Sequence, residues 1–263
     1  MSAVRANAYM KIPARKEGVM TSEEVQATLM VPPQSVAAES LLITGSHDPC
    51  IDYLGDMLRK HAVTLHPTHA GSMGGVLSLK QDTCHVAPMH LLSDDGSYNI
   101  HYLEKYLPET PLTLLCVAER EQGIIAPEPI TFDELLDKRI INRQKGSGTR
   151  ILFDHLLKEK GVNPAEITGY EREATTHLAV ALAVRSGEAE AGIGVYSAAK
   201  ALGLSFTPIG TERYELVTRT ATLDAMPEVR QLFENVASDT FKEILHRLGG
   251  YRTEETGIVR RIP

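Results

Sequence analysis

Short apolar runs alternate with segments of helical periodicity along most of the chain. The runs have the length of strands, and the periodic segments repeat hydrophobic residues at the spacing of one helix face. The predicted strands cover residues 40–45, 62–67, 84–89, 111–118, 139–142, 191–196, 205–210 and 214–218. The predicted helices cover residues 51–60, 76–80, 130–136, 151–157, 178–184, 229–236 and 241–248. This alternation is typical of an α/β fold with mainly parallel sheets.

The first part of the chain has a different pattern. Residues 8–13 and 24–30 predict short strands on either side of a turn at Gly18, and Pro32-Pro33 ends the pattern. A segment of this length cannot bury a core alone. We therefore expect residues 1–37 to be a short β segment and linker, which either packs on the rest of the chain or is the tail of something larger.

One stretch has the character of an anion site. Residues 142–150 place Ser147 and Thr149 between glycines, flank them with Arg143 and Arg150, and lead directly into a predicted helix. Glycines let a ligand approach the backbone, and free N–H groups and the helix dipole favour an anion at the helix N-terminus. Hydroxyl and guanidinium groups can add further donors.

Hydroxyl residues occur at four such strand-to-helix corners, and one corner also carries two arginines. In open α/β sheets, ligands bind beyond the carboxyl ends of strands, where helix N-termini converge. Four corners together indicate a cage of mostly neutral donors, although each hydroxyl could equally be a helix cap. The corner residues are Ser46, Ser72, Ser147 with Thr149, and Thr175 with Thr176.

Composition narrows the function classes. The chain has 263 residues, is 43% hydrophobic and carries a net charge of −7. This acidic balance disfavours nucleic-acid binding. The absence of a membrane-length apolar run and of a secretory h-region predicts a cytoplasmic protein without a membrane partner. Cys50, Cys84 and Cys116 lack paired spacing, so we expect reduced packing residues and no metal site or cofactor.

Catalysis by this chain alone is not expected. Ser46, His47 and Asp48 have the residue types of a triad, but consecutive residues at a turn point in different directions. No nucleophile-elbow or phosphate-loop pattern is present. The position of the Asp48 carboxylate bears on the identity of the ligand. If it faces the ligand, it could accept a proton from phosphate, whereas if it caps the helix it makes no contact with the ligand. His47 and His177 are more typical of supporting or surface positions, and His90 of a satisfied core histidine.

The order and spacing of these motifs resemble the PBP-like family, the cytoplasmic relatives of type 2 periplasmic oxyanion-binding proteins. The resemblance covers roughly residues 38–260 and implies two lobes joined by crossing strands near residues 112–118 and 205–215, with the anion between the lobes. The implied boundaries are residues 38–112 with 213–263 for lobe 1, and 113–212 for lobe 2. The motifs are Thr44-Gly45-Ser46, Gly71-Ser72, residues 142–150, Ala174-Thr175-Thr176-His177, Leu248-Gly249-Gly250-Tyr251 and Glu255-Thr256-Gly257.

The resemblance also implies a ligand. The chain is similar to molybdate and tungstate binders linked to molybdenum-cofactor synthesis or its regulation. Residues 6–8 and 23–25 also resemble the C-terminal β-domain of molybdopterin molybdenumtransferase. The chain could thus be part of, or a partner of, such a fused enzyme. Phosphate, sulfate or a small anionic metabolite, and a ligand-free partner-binding module, stay open as alternatives. The implied ligand residues are Ser46, Ser72, Ser147, Thr149, Arg150 and Thr176, with Thr175 and Arg143 as close seconds.

Overall fold

The computed structural model describes residues 8–20, 23–32, 39–93 and 96–263. Contacts divide the chain into two units, Met1–Glu39 and Ser40–Pro263. In the first unit, β1 (Ala8–Met10) pairs antiparallel with β2 (Ala27–Leu29), which confirms the predicted β segment. Residues 1–7, 21, 22 and 33–37, which the same prediction covered, lie outside the described ranges.

The second unit follows the predicted alternation of strands and helices. Its strands are β3 (Glu39–Gly45), β4 (Val63–His69), β5 (Val86–Met89), β6 (Leu112–Ala126), β7 (Ile140–Arg143), β8 (Glu173–Ala174), β9 (Ala191–Val195), β10 (Ser205–Arg219), β11 (Tyr251–Arg252) and β12 (Val259–Ile262). Its helices are α1 (Pro49–Arg59), α2 (Gly71–Lys80), α3 (Ile100–Tyr106), α4 (Phe132–Leu136), α5 (Gly148–Glu159), α6 (His177–Arg185), α7 (Tyr196–Ala201), α8 (Thr220–Ala225), α9 (Pro227–Ala237) and α10 (Asp239–Leu248).

One mixed sheet runs through the second unit, in the order β4-β3-β5-β10-β6-β9-β7-β8. Parallel pairs occur towards its two ends, between β3 and β5, β7 and β9, and β7 and β8. The centre is antiparallel, because the long strands β6 and β10 pair along almost their whole length. These are the two predicted crossing strands, and the expectation of mainly parallel pairing holds only for the shorter strands outside them.

Apolar residues form clusters on both sides of the crossing strands. One large cluster joins β3 and β5 to helices α1, α9 and α10, and another joins β7 and β9 to α5. Strand β6 is buried along nearly all its length, as a central strand covered on both faces should be. The three cysteines are free and buried, as packing residues are. The exact lobe boundaries stay a prediction.

A close helix–strand contact sets the position of α2. A Cβ on Gly75 would lie 2.8 Å from the Thr44 carbonyl oxygen and 3.1 Å from the Ala87 Cβ, so only glycine allows this approach. The contact brings the N-terminus of α2 to the carboxyl end of the sheet. Across the described ranges, none of the helices is long and apolar enough to span a bilayer.

Adjacent leucines of β3 test the core. Leu41 is fully buried, whereas Leu42 is 40% exposed. We expect Leu41→Ala to lower the free energy of unfolding by about 2–5 kcal/mol, because it leaves a cavity. The matched change Leu42→Ala should cost about 0.5 kcal/mol or less. Urea unfolding of both variants measures the difference, and equal losses would contradict the described orientation of β3.

Candidate anion-binding site

The turns that precede α2 and α5 meet. The Met73 amide donates to the Gly146 carbonyl at 3.2 Å, and Gly71 lies against the Gln144 side chain. A Cβ on Gly148 would collide with the ring and the carbonyl oxygen of His90. Glycine at residue 148 is therefore needed for a close approach of the α5 N-terminus to the end of β5.

Asp48, not Ser46, caps the first of the four corners. The Asp48 carboxylate accepts from the Cys50 amide at 2.8 Å and from the Tyr251 hydroxyl at 2.8 Å. Its other oxygen pairs with Arg120. Both carboxylate oxygens are thus engaged, which is the outcome in which Asp48 is silent towards a ligand.

Capping occurs at two of the other corners. Ser147 caps α5 by accepting from the Arg150 amide at 3.2 Å, and Thr176 caps α6 by accepting from the Ala179 amide at 3.0 Å. Ser72 is not a cap; it lies in the first turn of α2, and its Oγ accepts from the His90 amide at 3.2 Å. The capping interpretation therefore holds for Ser147 and Thr176, and all three hydroxyls keep a proton that they can donate.

Arg150 and Thr175 are placed differently from the other predicted ligand residues. The Arg150 guanidinium donates to Asp154 at 3.1 Å and lies 4.0 Å from the centre of the Tyr170 ring. Thr175 is exposed, and its carbonyl oxygen accepts from Arg143. Arg150 is held by its own helix and Thr175 contributes backbone, so we leave both out of the candidate site.

A buried ion network lies where the crossing strands meet. Arg120 of β6 pairs through Nε with Glu212 of β10 and through Nη1 with Asp48, and these three side chains are at most 3% exposed. The Arg120 guanidinium also stacks 4.0 Å from the centre of the Tyr214 ring. No sequence pattern marks Arg120 or Glu212 as functional, because both lie in strands without a recognisable motif.

Opposite charges fix the ionisation of this network. Burial raises the pKa of Asp48 and of Glu212, but the Arg120 charge together with hydrogen bonds outweighs it and holds both below their usual range. Burial lowers the pKa of Arg120, and the two carboxylates more than reverse that shift. All three groups are therefore charged at neutral pH.

His90 links the network to Ser46. The His90 Nε2 lies 2.8 Å from the Ser46 Oγ, and its Nδ1 contacts the Glu212 carboxylate. Burial lowers the pKa of His90 more than Glu212 raises it, so the ring is neutral. His90 is buried, as expected of a core histidine.

Arg143 is a second buried arginine, but it lacks a carboxylate partner in the part of the chain that the structure describes. Its Nε and Nη2 donate to the backbone carbonyls of Ala174 and Thr175, both at 3.2 Å. Burial, together with the charge of Arg120, lowers the pKa of Arg143 to about 9. The residue stays charged at neutral pH, and among the described side chains it forms no ion pair of its own.

Further buried donors near Arg143 lack partners. Among the described residues, no hydrogen-bond partner is found for Nη1 of Arg143, Nη2 of Arg120, Oγ1 of Thr149 or either ring nitrogen of His177. The His177 ring lies 6.4 Å from the His90 ring, and burial and the two arginines keep its pKa well below the usual range. We call Arg120, Arg143, Thr149 and His177 the donor cluster.

Unpaired buried polar atoms are uncommon in proteins and call for an explanation. A metal ion does not provide one, because the described ranges contain no group of three or more His, Cys, Asp or Glu side chains placed to hold it. The cluster consists of cations and hydrogen-bond donors, which suit an anion.

A family comparison places this geometry in context. Residues 55–237 match the model of the PBP-like family, described as a PBP superfamily domain. The chain belongs to this family. The predicted two-lobed, type 2 periplasmic-binding-protein-like α/β fold is thus confirmed.

Individual PBP-like relatives agree with this assignment. An uncharacterised protein of Bacillus subtilis, YvgK, is 35% identical over 217 residues, which cover 78% of this chain and 70% of its own. A putative phosphate ABC transporter substrate-binding protein from Clostridium perfringens, solved with bound phosphate, has a TM-score of 0.60 at 14% identity, covering 81% of this chain and 98% of its own. PhnD1 from Prochlorococcus marinus, in complex with methylphosphonate, has a TM-score of 0.55 at 14% identity, covering 82% and 92%.

The ion network of this PBP-like chain gives a stability prediction. Asn caps helices about as well as Asp, so Asp48→Asn removes the charge and keeps the cap. We expect the free energy of unfolding of this variant to be about 3–5 kcal/mol lower at neutral pH, because Arg120 loses one of its two buried counter-charges. Equilibrium denaturation measures the loss. The control Glu255→Gln removes the half-exposed partner of Arg213 and should cost about 1 kcal/mol or less.

Acid titration adds a second readout. The pKa of Asp48 is lower in the folded than in the unfolded state, so its contribution is fully present above the unfolded pKa. That contribution is lost as the pH falls through the folded pKa. The unfolding free energy of Asp48→Asn should therefore depend less on pH in the acid range, and an unchanged dependence would contradict the ion pair.

Proposed function

We propose that this chain binds a small tetrahedral oxyanion at the donor cluster, between the two lobes. Arg143 carries the proposal. It is fully buried, it lacks a carboxylate partner among the described side chains, and one of its guanidinium nitrogens is unpaired. A buried cation in this state is costly unless an anion joins it.

The distribution of charge in the site supports a small anion at Arg143. Asp48 and Glu212 both engage Arg120, so neither forms an ion pair with Arg143. The Arg143 guanidinium donates only to neutral oxygens, those of the Gln144 side chain and of the Ala174 and Thr175 carbonyls. A bound oxyanion would give it a direct counter-charge.

The available donors also suit an oxyanion. Arg120 and Arg143 each offer one unpaired guanidinium nitrogen, Thr149 offers a hydroxyl, and neutral His177 offers one ring N–H. Ser72 and Ser147 keep their hydroxyl protons. Several donors converging from two lobes match the several oxygens of a tetrahedral ion.

The identity of the ion has two candidates. The motif resemblance favours molybdate or tungstate and a link to molybdenum-cofactor synthesis in the cytoplasm. Phosphate is the second candidate. The Ser46 hydroxyl favours phosphate, because a hydroxyl that donates its proton to His90 leaves its oxygen free to accept a hydrogen bond from a protonated ion. Relatives of the same fold hold phosphate and methylphosphonate, which supports the shared class of small anions.

Titration calorimetry with molybdate, tungstate, sulfate and phosphate tests the proposal. We expect at least one to bind, and an ion at ~100 times its dissociation constant to add about 2.7 kcal/mol of stability in a thermal-shift series. Thr149→Val should weaken binding about 10- to 100-fold, because it replaces a donor hydroxyl by a methyl of similar size.

Two further variants complete this experiment. Thr175→Val makes the same chemical change at an exposed position and should leave the affinity unchanged. Arg143→Met should abolish binding, because it removes the charge that lacks an ion pair of its own. Absence of binding by all four anions, or equal effects of the two threonine changes, would contradict the proposed site.

A further inference from the structure

Ser46, His90 and Glu212 form a chain of contacting polar groups, and the His90 ring lies 6.4 Å from the His177 ring of the donor cluster. The Ser46 Oγ lies 2.8 Å from the His90 Nε2, and the His90 Nδ1 contacts Glu212. All three side chains are at most 3% exposed. Asp48 performs the capping at this corner, so the Ser46 hydroxyl is not needed as a helix cap.

The carboxylate at one end of this chain fixes the protons along it. Glu212 is ionised beside Arg120, so it can only accept, and the His90 proton must be on Nδ1. The neutral ring then has a bare Nε2 that accepts a hydrogen bond. Ser46 therefore donates its hydroxyl proton to His90, and what its oxygen can offer a ligand is a lone pair.

The order of the three groups is that of a serine-hydrolase triad, but their electrostatics differ. A triad carboxylate stabilises the imidazolium that forms when histidine takes the serine proton. Here the charge of Glu212 is shared with Arg120, and burial with two arginines nearby lowers the pKa of His90. The proton is therefore retained by Ser46, and the chain orients the hydroxyl without activating it.

The groups that surround this hydroxyl make its orientation consequential. The donor cluster offers arginine, threonine and histidine donors. Ser46 is linked to this cluster through His90, whose ring lies 6.4 Å from that of His177. Tyr214 provides a second link, because its hydroxyl donates to the Ser46 carbonyl oxygen and its ring stacks on Arg120. Phosphate and phosphonate at neutral pH carry a proton that an acceptor can take. Sulfate, molybdate and tungstate have none, and would place a bare oxygen against a lone pair.

We propose that Ser46, held by His90 and Glu212, is the residue that selects protonated oxyanions, such as phosphate or a phosphonate, over sulfate, molybdate and tungstate. This inference rests on the proposed function, since it concerns the same anion site. It assigns the selectivity to a hydroxyl of fixed orientation, with no carboxylate facing the ligand.

Calorimetry at one neutral pH and constant ionic strength tests the inference with phosphate, methylphosphonate, sulfate and molybdate. We expect the wild-type chain to bind phosphate and methylphosphonate at least about 10-fold more tightly than sulfate and molybdate. Ser46→Ala should weaken the binding of the protonated ions by about 10- to 100-fold. The affinity for sulfate should stay unchanged or become tighter. The preference should then disappear.

Ser72→Ala is the matched control. Ser72 is an equally buried serine that also bonds to His90, but to its backbone amide, and its proton is free to donate. This change should weaken the binding of all four anions by a similar factor and keep the preference for protonated ions. Glu212→Gln provides a second variant, because it releases the His90 tautomer and should narrow the preference for protonated ions.

The possible failures are distinct. If sulfate or molybdate binds the wild-type chain as tightly as phosphate, or if Ser46→Ala keeps the preference, the selectivity inference is wrong and the anion site stands. If none of the anions binds, the proposed function fails and the inference fails with it.

Discussion

A buried charge must be compensated, and this constraint organises the centre of the molecule. Asp48 belongs to the first strand-to-helix corner, Arg120 to β6 and Glu212 to β10, and they meet as one ion network. Tyr251 of β11 adds a hydrogen bond to the same Asp48 carboxylate. Removal of Arg120 would leave two buried carboxylates without a counter-charge, and removal of either carboxylate would leave Arg120 with only one, in a region of low dielectric constant. The network therefore fixes the crossing strands relative to the corner that begins α1.

The two buried arginines, Arg120 and Arg143, differ in how their positions and charges are fixed. Arg120 is compensated twice and is stacked on Tyr214, so its position is determined without a ligand. Arg143 is held by the Gln144 side chain and by two backbone carbonyls, which orient its guanidinium but do not neutralise it. One arginine can therefore serve as a rigid support for the donor cluster, while the other supplies the charge for the anion that we propose.

Sequence patterns predicted the local features of this site and missed those that depend on tertiary structure. Ser147 and Thr149 could be found because a glycine turn before a helix is a local signal. Arg120 and Glu212 could not, since each lies in a strand and acquires its role only when the strands pair. Arg150 is a predicted ligand residue, but its spacing to Asp154, four residues on, also suits an ion pair on one helix face, and the structure has that pair. The fold class was accessible because hydrophobic periodicity extends over the whole second unit.

Burial of the donor cluster also constrains how a ligand reaches it. The turns before α2 and α5 are joined by a backbone hydrogen bond, and Gly148 packs directly on His90. The cluster residues are buried in this arrangement, so access for an ion requires a movement of their surroundings, and separation of the two turns is one that would expose them. Strands β6 and β10 connect the two sides, and their register is irregular between Pro208 and Gly210 and between Tyr214 and Glu215. Separation of the turns would thus require the crossing strands to bend at these irregular positions. An ion that bridges the turns would favour the arrangement in which they meet, by the difference between its affinities for the arrangements with the turns together and apart.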